Sequence, residues 1–130
     1  MITISKRVEY AIELMSFLTK KDGKVVSLME VSKELGLPYR FLGQVAIDLR
    51  KGEIIEGREG KMGGYVLVKG WKDKTLYDLL TALGENRGMV KCLGEGMVCS
   101  REKGCKMRNI WQKLESDFLS DLKKIKLSEI

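Results

Sequence analysis

The sequence predicts a mainly α-helical chain with a small β-wing: a winged helix-turn-helix followed by a long C-terminal dimerisation helix. Three observations predict it. Three segments with apolar residues at helical spacing fill most of residues 4–52. The second and third are joined by a tight turn containing glycine, the helix-turn-helix pattern. The stretch "EIIEGREGKMGGYVLVKG" then reads as strand, glycine-rich turn and strand, which supplies the wing.

The first helix is expected over residues 4–20, with Val8, Ala11, Ile12, Met15 and Leu18 on one face and Leu14 and Phe17 widening it. "KKDGK" breaks it. Residues 27–36 form a short second helix, with Ser27 and Glu30 as a capping box and Gly36 as the C-terminal glycine. The third covers 37–52. Pro38 suits its first turn, Phe41, Leu42, Val45, Ala46 and Leu49 form its buried stripe, and Gly52 ends it. The wing strands are expected at Ile54–Glu56 and Tyr65–Val68. Thr75 opens a fourth helix with Asp78 in its first turn, turns Leu76, Leu79, Leu80 and Leu83 inward, and gives way to Gly84.

A fifth helix is expected over 106–127, about 33 Å long at 1.5 Å per residue. Its stripe is Met107, Ile110, Trp111, Leu114, Phe118, Leu122 and Ile125. Such a near-heptad stripe predicts a homodimer through this helix, which can also pack across the first. The organisation is then 1–70, the winged helix-turn-helix; 71–104, a connecting helix and cysteine loop; and 105–130, the dimerisation helix, all within one compact chain.

Composition limits the function classes. The 130 residues are 44% hydrophobic, enough for one core. No apolar run reaches the roughly 18 residues of a membrane span, and the N-terminus lacks a signal-peptide core, so a cytoplasmic location is expected. The net charge of +6 permits nucleic-acid binding. Residues 1–70 and 71–130 each carry 12 basic and 9 acidic side chains, so a DNA-binding face has to come from placement. On the third helix the outward residues are Tyr39, Arg40, Gly43, Gln44 and Lys51. Arginine and glutamine suit guanine and adenine edges in the major groove. Arg58 and Lys61 at the wing tip suit the phosphates or minor groove of double-stranded DNA, and Ser5, Lys6 and Arg7 at the first helix suit its backbone. No histidine, nucleophile elbow or phosphate-cradling loop is present, and "GKMGGY" has the spacing of a wing tip, so an enzyme is not expected.

All three cysteines, Cys92, Cys99 and Cys105, fall in "KCLGEGMVCSREKGCKMRNIW", with Gly94, Gly96 and Gly104 between them. In a reducing compartment such clustering points to metal or redox chemistry. Three thiols and a carboxylate suit an iron–sulfur cluster or a structural zinc; two thiols alone suit a reversible disulfide. Lys91, Arg101, Lys103, Lys106 and Arg108 would balance an anionic cofactor.

Four stretches carry a family resemblance: "ISKRVEYAI", "LPYRFLGQVAIDLRKGEII", "REGKMGGYVL", and the three cysteines ahead of "MRNIW". Nearly the whole chain resembles the bacterial iron–sulfur winged-helix repressors that include the cluster regulator IscR and the nitric-oxide-sensing NsrR. The resemblance implies a homodimer on palindromic or semi-palindromic operators, with crossed long helices and an iron–sulfur cluster on Cys92, Cys99 and Cys105. It implies that the state of the cluster, set by nitric oxide, iron or redox status, alters operator affinity.

Some positions depart from the pattern. Where the IscR type has a ligating histidine, this chain has Arg108, which cannot bind iron. Six residues rather than five separate Cys92 from Cys99. The NsrR type instead completes its site with a carboxylate from the partner subunit, and the matching residue is Glu9, with Glu13, Glu95 and Glu102 as rivals. On this basis a 4Fe–4S cluster is expected ahead of a 2Fe–2S cluster. Gly43 and Glu59 stand where the IscR type carries a glutamate and an arginine, so operator preference does not transfer.

Overall fold

A computed structural model describes residues 3–86 and 88–130. Helix α1 (Lys6–Lys20) starts at Ser5, whose hydroxyl accepts the Val8 N–H. It buries Val8, Ala11, Leu14, Met15, Phe17 and Leu18, while Ile12 is only half-buried. Helix α2 (Leu28–Leu35) starts at Ser27, which accepts the Glu30 N–H, and ends at Gly36 in the left-handed region at φ 66. The expected capping box is only half made. The Glu30 carboxylate turns outward to Lys21 at 2.8 Å instead of returning to the Ser27 N–H.

Helix α3 (Tyr39–Lys51) begins two residues later than expected, because Pro38 is extended and serves as the N-cap. Its buried side chains are Leu42, Val45, Ala46, Asp48 and Leu49. Phe41 departs from the expected stripe: it is part-exposed and meets Tyr10 edge-on, ring centroids 5.2 Å apart. Helices α1, α2 and α3 pack around Leu14, Leu18, Val31, Leu42, Val45 and Leu49.

Strands β1 (Ile55–Arg58) and β2 (Gly64–Leu67) pair antiparallel, from Ile55 opposite Leu67 to Arg58 opposite Gly64. The sequence did not foretell a further bridge: Val26, ahead of α2, exchanges both backbone hydrogen bonds with Tyr65 at 2.9 and 2.8 Å. Gly64 makes this possible, since a Cβ there would lie 2.2 Å from the Val26 carbonyl oxygen.

Helix α4 (Leu76–Ala82) carries a complete capping box between Thr75 and Asp78, and it buries Leu79 and Leu80, with Leu83 just beyond its end. Helix α5 (Lys106–Leu122) is shorter than the expected 106–127. After Leu122 the chain turns, and residues 125–127 run beside 74–76. The Leu76 N–H donates to the Ile125 carbonyl and the Leu127 N–H to the Lys74 carbonyl, both at 2.8 Å. Leu127 thereby enters the core at 1% exposure, a position a continuous helix would not give it. Along α5 only Leu122 is buried; Met107, Ile110, Leu114 and Phe118 stay 43–49% exposed.

Candidate functional site

The outer face of α3 is open. Tyr39, Arg40, Gln44 and Lys51 are all exposed and Gly43 is half-buried. Arg40 and Gln44 stand four residues apart, so they share one helix face. Lys61 is exposed at the wing tip, beside a Met62 that is 90% exposed. Four of the expected contacts already have partners within the chain: Arg7, part-buried against Asp48, and Ser5, Lys6 and Arg58 in exposed pairs. The Ser5 hydroxyl caps α1 and donates to Glu85 at 3.0 Å. Lys6 pairs with Glu9 at 2.6 Å, and that hydrogen bond raises the lysine pKa above its ordinary value. Arg58 pairs with Glu56. All three pairs are solvent-exposed, where such contacts are weak and exchangeable.

The structure shows an ion pair that sequence reading missed. Arg7 on α1 donates through Nη2 to Asp48 Oδ2 on α3. The signal for it lay in the α3 pattern, where Asp48 falls three residues after Val45 on the apolar face.

The cysteine loop lies between α4 and α5. Cys92 sits in a single 3-10 turn, Lys91–Leu93, and Cys105 is the N-cap of α5 with no side-chain capping bond. The positive end of the α5 dipole therefore lies beside the Cys105 sulfur and favours negative charge there. All three thiols are free and half-buried. Short-range backbone bonds shape the loop, such as Gly94 N–H to Lys91 and Glu102 N–H to Cys99, both at 3.1 Å. At its entrance the Met89 N–H donates to Glu115 of α5 at 3.1 Å, another contact sequence reading missed. Arg108, in place of a ligating histidine, pairs with Glu102 at 3.1 Å. Glu95 and Glu13 are exposed, and Glu9 is half-exposed against Lys6.

Among the described residues, no three histidine, cysteine or acidic side chains stand close enough to hold a metal ion. Soft thiolate donors with cationic neighbours fit an iron–sulfur cluster in chemistry. In one chain alone they are not drawn together.

Helices α1, α2 and α3 with the β1–β2 wing form a winged-helix arrangement, and no helix among the described residues is long and apolar enough to cross a membrane. The chain belongs to the Rrf2 family, described as an iron-dependent transcriptional regulator, which matches residues 4–130. It is 30% identical over 105 residues to protein rrf2 of Nitratidesulfovibrio vulgaris, covering 75% of this chain and 70% of that one. To the HTH-type transcriptional regulator IscR of Escherichia coli it is 27% identical, over 81% of this chain and 64% of that one. The structure of CymR, the global cysteine regulator of B. subtilis, superposes with a TM-score of 0.75 at 25% identity, covering 98% and 94% of the two chains. The expectations of a winged helix and of a regulator rather than an enzyme agree with this family.

Proposed function

We propose that this Rrf2-family regulator acts as a homodimeric repressor whose operator affinity follows an iron–sulfur cluster held by Cys92, Cys99 and Cys105. The observation that carries the reading is that all three thiols lie on the one loop between α4 and α5, with Cys105 at the start of the helix that bears the apolar stripe. Glu9 of the partner subunit is the fourth donor. A partner carboxylate is invoked because the chain has no histidine, and Arg108, at the expected fourth position, has no lone pair to offer iron. The cluster, 4Fe–4S by preference over 2Fe–2S, would supply an iron open to nitric oxide, oxygen or loss. The chain's own residues do the rest. Lys91, Arg101, Lys103 and Lys106, all exposed, offset the charge of the thiolates, and Arg40 and Gln44 face the major groove.

Lys6 and Glu9 couple the two ends of this reading. A Glu9 engaged at a partner's loop releases Lys6, at the start of α1, to a DNA phosphate. The reverse exchange restores the pair.

The test is anaerobic purification with iron and sulfide analysis per chain, followed by operator binding with and without the cofactor. About four irons, lost in a Cys99→Ser variant, support a 4Fe–4S site, and about two support a 2Fe–2S site. A colourless protein holding zinc, or one with a reductant-reversible disulfide, would replace the cluster with one of those devices. Equal operator affinity for the loaded and stripped protein would refute the coupling.

A further inference from the structure

Among the described residues, Asp48 is the one buried charged side chain, and it lies on the helix that presents Arg40 and Gln44. A carboxylate there works against binding a polyanion, so its presence needs a reason. Its partner gives one. Arg7 reaches Asp48 from α1 through a single Nη2, keeps 35% of its side chain exposed, and leaves Nε buried without a partner. The same side chain lines an open cleft of about 810 Å³ where α1 meets the start of α3, together with Pro38, Arg40, Phe41 and Gln44. Two guanidinium-bearing residues and no acid line that cleft. A guanidinium has five N–H donors in a rigid fork, so it can hold a carboxylate on one side and an oxyanion on another.

We propose that Asp48 is a positioning residue for DNA binding: it fixes Arg7 so that the α1–α3 cleft seats one backbone phosphate of a duplex lying along α3. The inference rests on the DNA-binding reading above. It also explains why an acid is placed on α3 beside Arg7, with Arg40 as the second cation on the wall of the same cleft.

Phosphate contacts are sequence-independent, so the operator need not be known. The probe is a fluorescently labelled duplex of arbitrary sequence, long enough for two half-sites one helical turn apart. Its binding to the full chain is followed by anisotropy over a salt series. The central variant is Arg7→Gln/Asp48→Asn. It removes one charge of each sign, so the net charge and the long-range field stay as they were. The slope of log affinity against log salt is expected to fall by about 0.9 per chain, the loss of one phosphate contact. The matching exchange on α5, Lys113→Gln/Asp117→Asn at an exposed pair, should leave the slope unchanged. Asp48→Asn alone should weaken binding by about tenfold, the worth of one charge-assisted hydrogen bond. Loss of a negative charge by itself would tighten it. If the amide pair prevents folding, Arg7→Met/Asp48→Leu carries the same test, because apolar replacement of a buried ion pair generally preserves the fold. A double variant with the wild-type slope overturns this inference alone. A wild-type chain that binds no duplex overturns the DNA-binding reading with it.

Discussion

At Gly52 the backbone has φ −78 and ψ 4, a conformation open to any L-residue, so this glycine does not end α3 through left-handed freedom. It is there for space: a Cβ would lie 2.4 Å from the Ala82 Cβ on α4. Gly52→Ala should cost about 1–3 kcal/mol through overpacking, read by urea unfolding. Ala82→Gly alone should cost about 1 kcal/mol. The two together should be less destabilising than their sum, because each relieves the other's defect; strict additivity would remove the clash as the cause. Gly36 is the contrast, since its φ of 66 is the left-handed cap that the sequence pattern announced. A glycine at a helix end is legible in a sequence, but which of these two reasons put it there depends on a neighbour thirty residues away. Asp48 was illegible on the same ground. Its placement on the apolar face was visible in the pattern, whereas its partner Arg7 is 41 residues distant.

Helix α5 shows where pattern reading reaches its limit at the scale of an element. Ile125 continues the apolar spacing past Leu122, so periodicity alone carries the helix to residue 127. What stops it is long-range backbone pairing, with residues 125–127 laid beside 74–76 and Leu127 buried in the core. Leu127→Ala should therefore cost about 2–5 kcal/mol, the range for emptying a buried leucine site, seen as a lowered denaturation midpoint. Ile125→Ala, at a part-exposed position, should cost much less. Equal losses at the two positions would contradict this docking of the tail. The start of α4, by contrast, was fully legible, because a capping box is a local device: Thr75 and Asp78 satisfy each other's backbone N–H within four residues. Thr75→Ala should cost about 1 kcal/mol. The Ser27 cap was legible only in part, because Lys21 lies close enough to draw the Glu30 carboxylate away.

At the scale of the whole molecule, α5 carries an apolar stripe that the rest of its own chain leaves uncovered. Its 17 residues span about 25 Å at 1.5 Å per residue, and Met107, Ile110, Leu114 and Phe118 follow one another at helical spacing, each more than two-fifths exposed. A continuous apolar stripe of that length on a folded chain marks an interface. A second copy of α5 offers the same stripe, so a two-fold contact is self-complementary by construction. Ile110→Glu/Leu114→Glu places two carboxylates in that contact. The expected result is a monomer by sedimentation equilibrium with an unchanged far-ultraviolet spectrum, since neither side chain belongs to the core of the single chain. DNA binding should change with it. A dimer engages phosphates from both subunits, whereas a monomer engages half as many, so the slope of log affinity against log salt should fall to about half its wild-type value. A variant that stays dimeric would move the interface off this stripe. A monomer that keeps the full slope would mean that the second subunit adds nothing to DNA contact, and would separate dimerisation from operator binding.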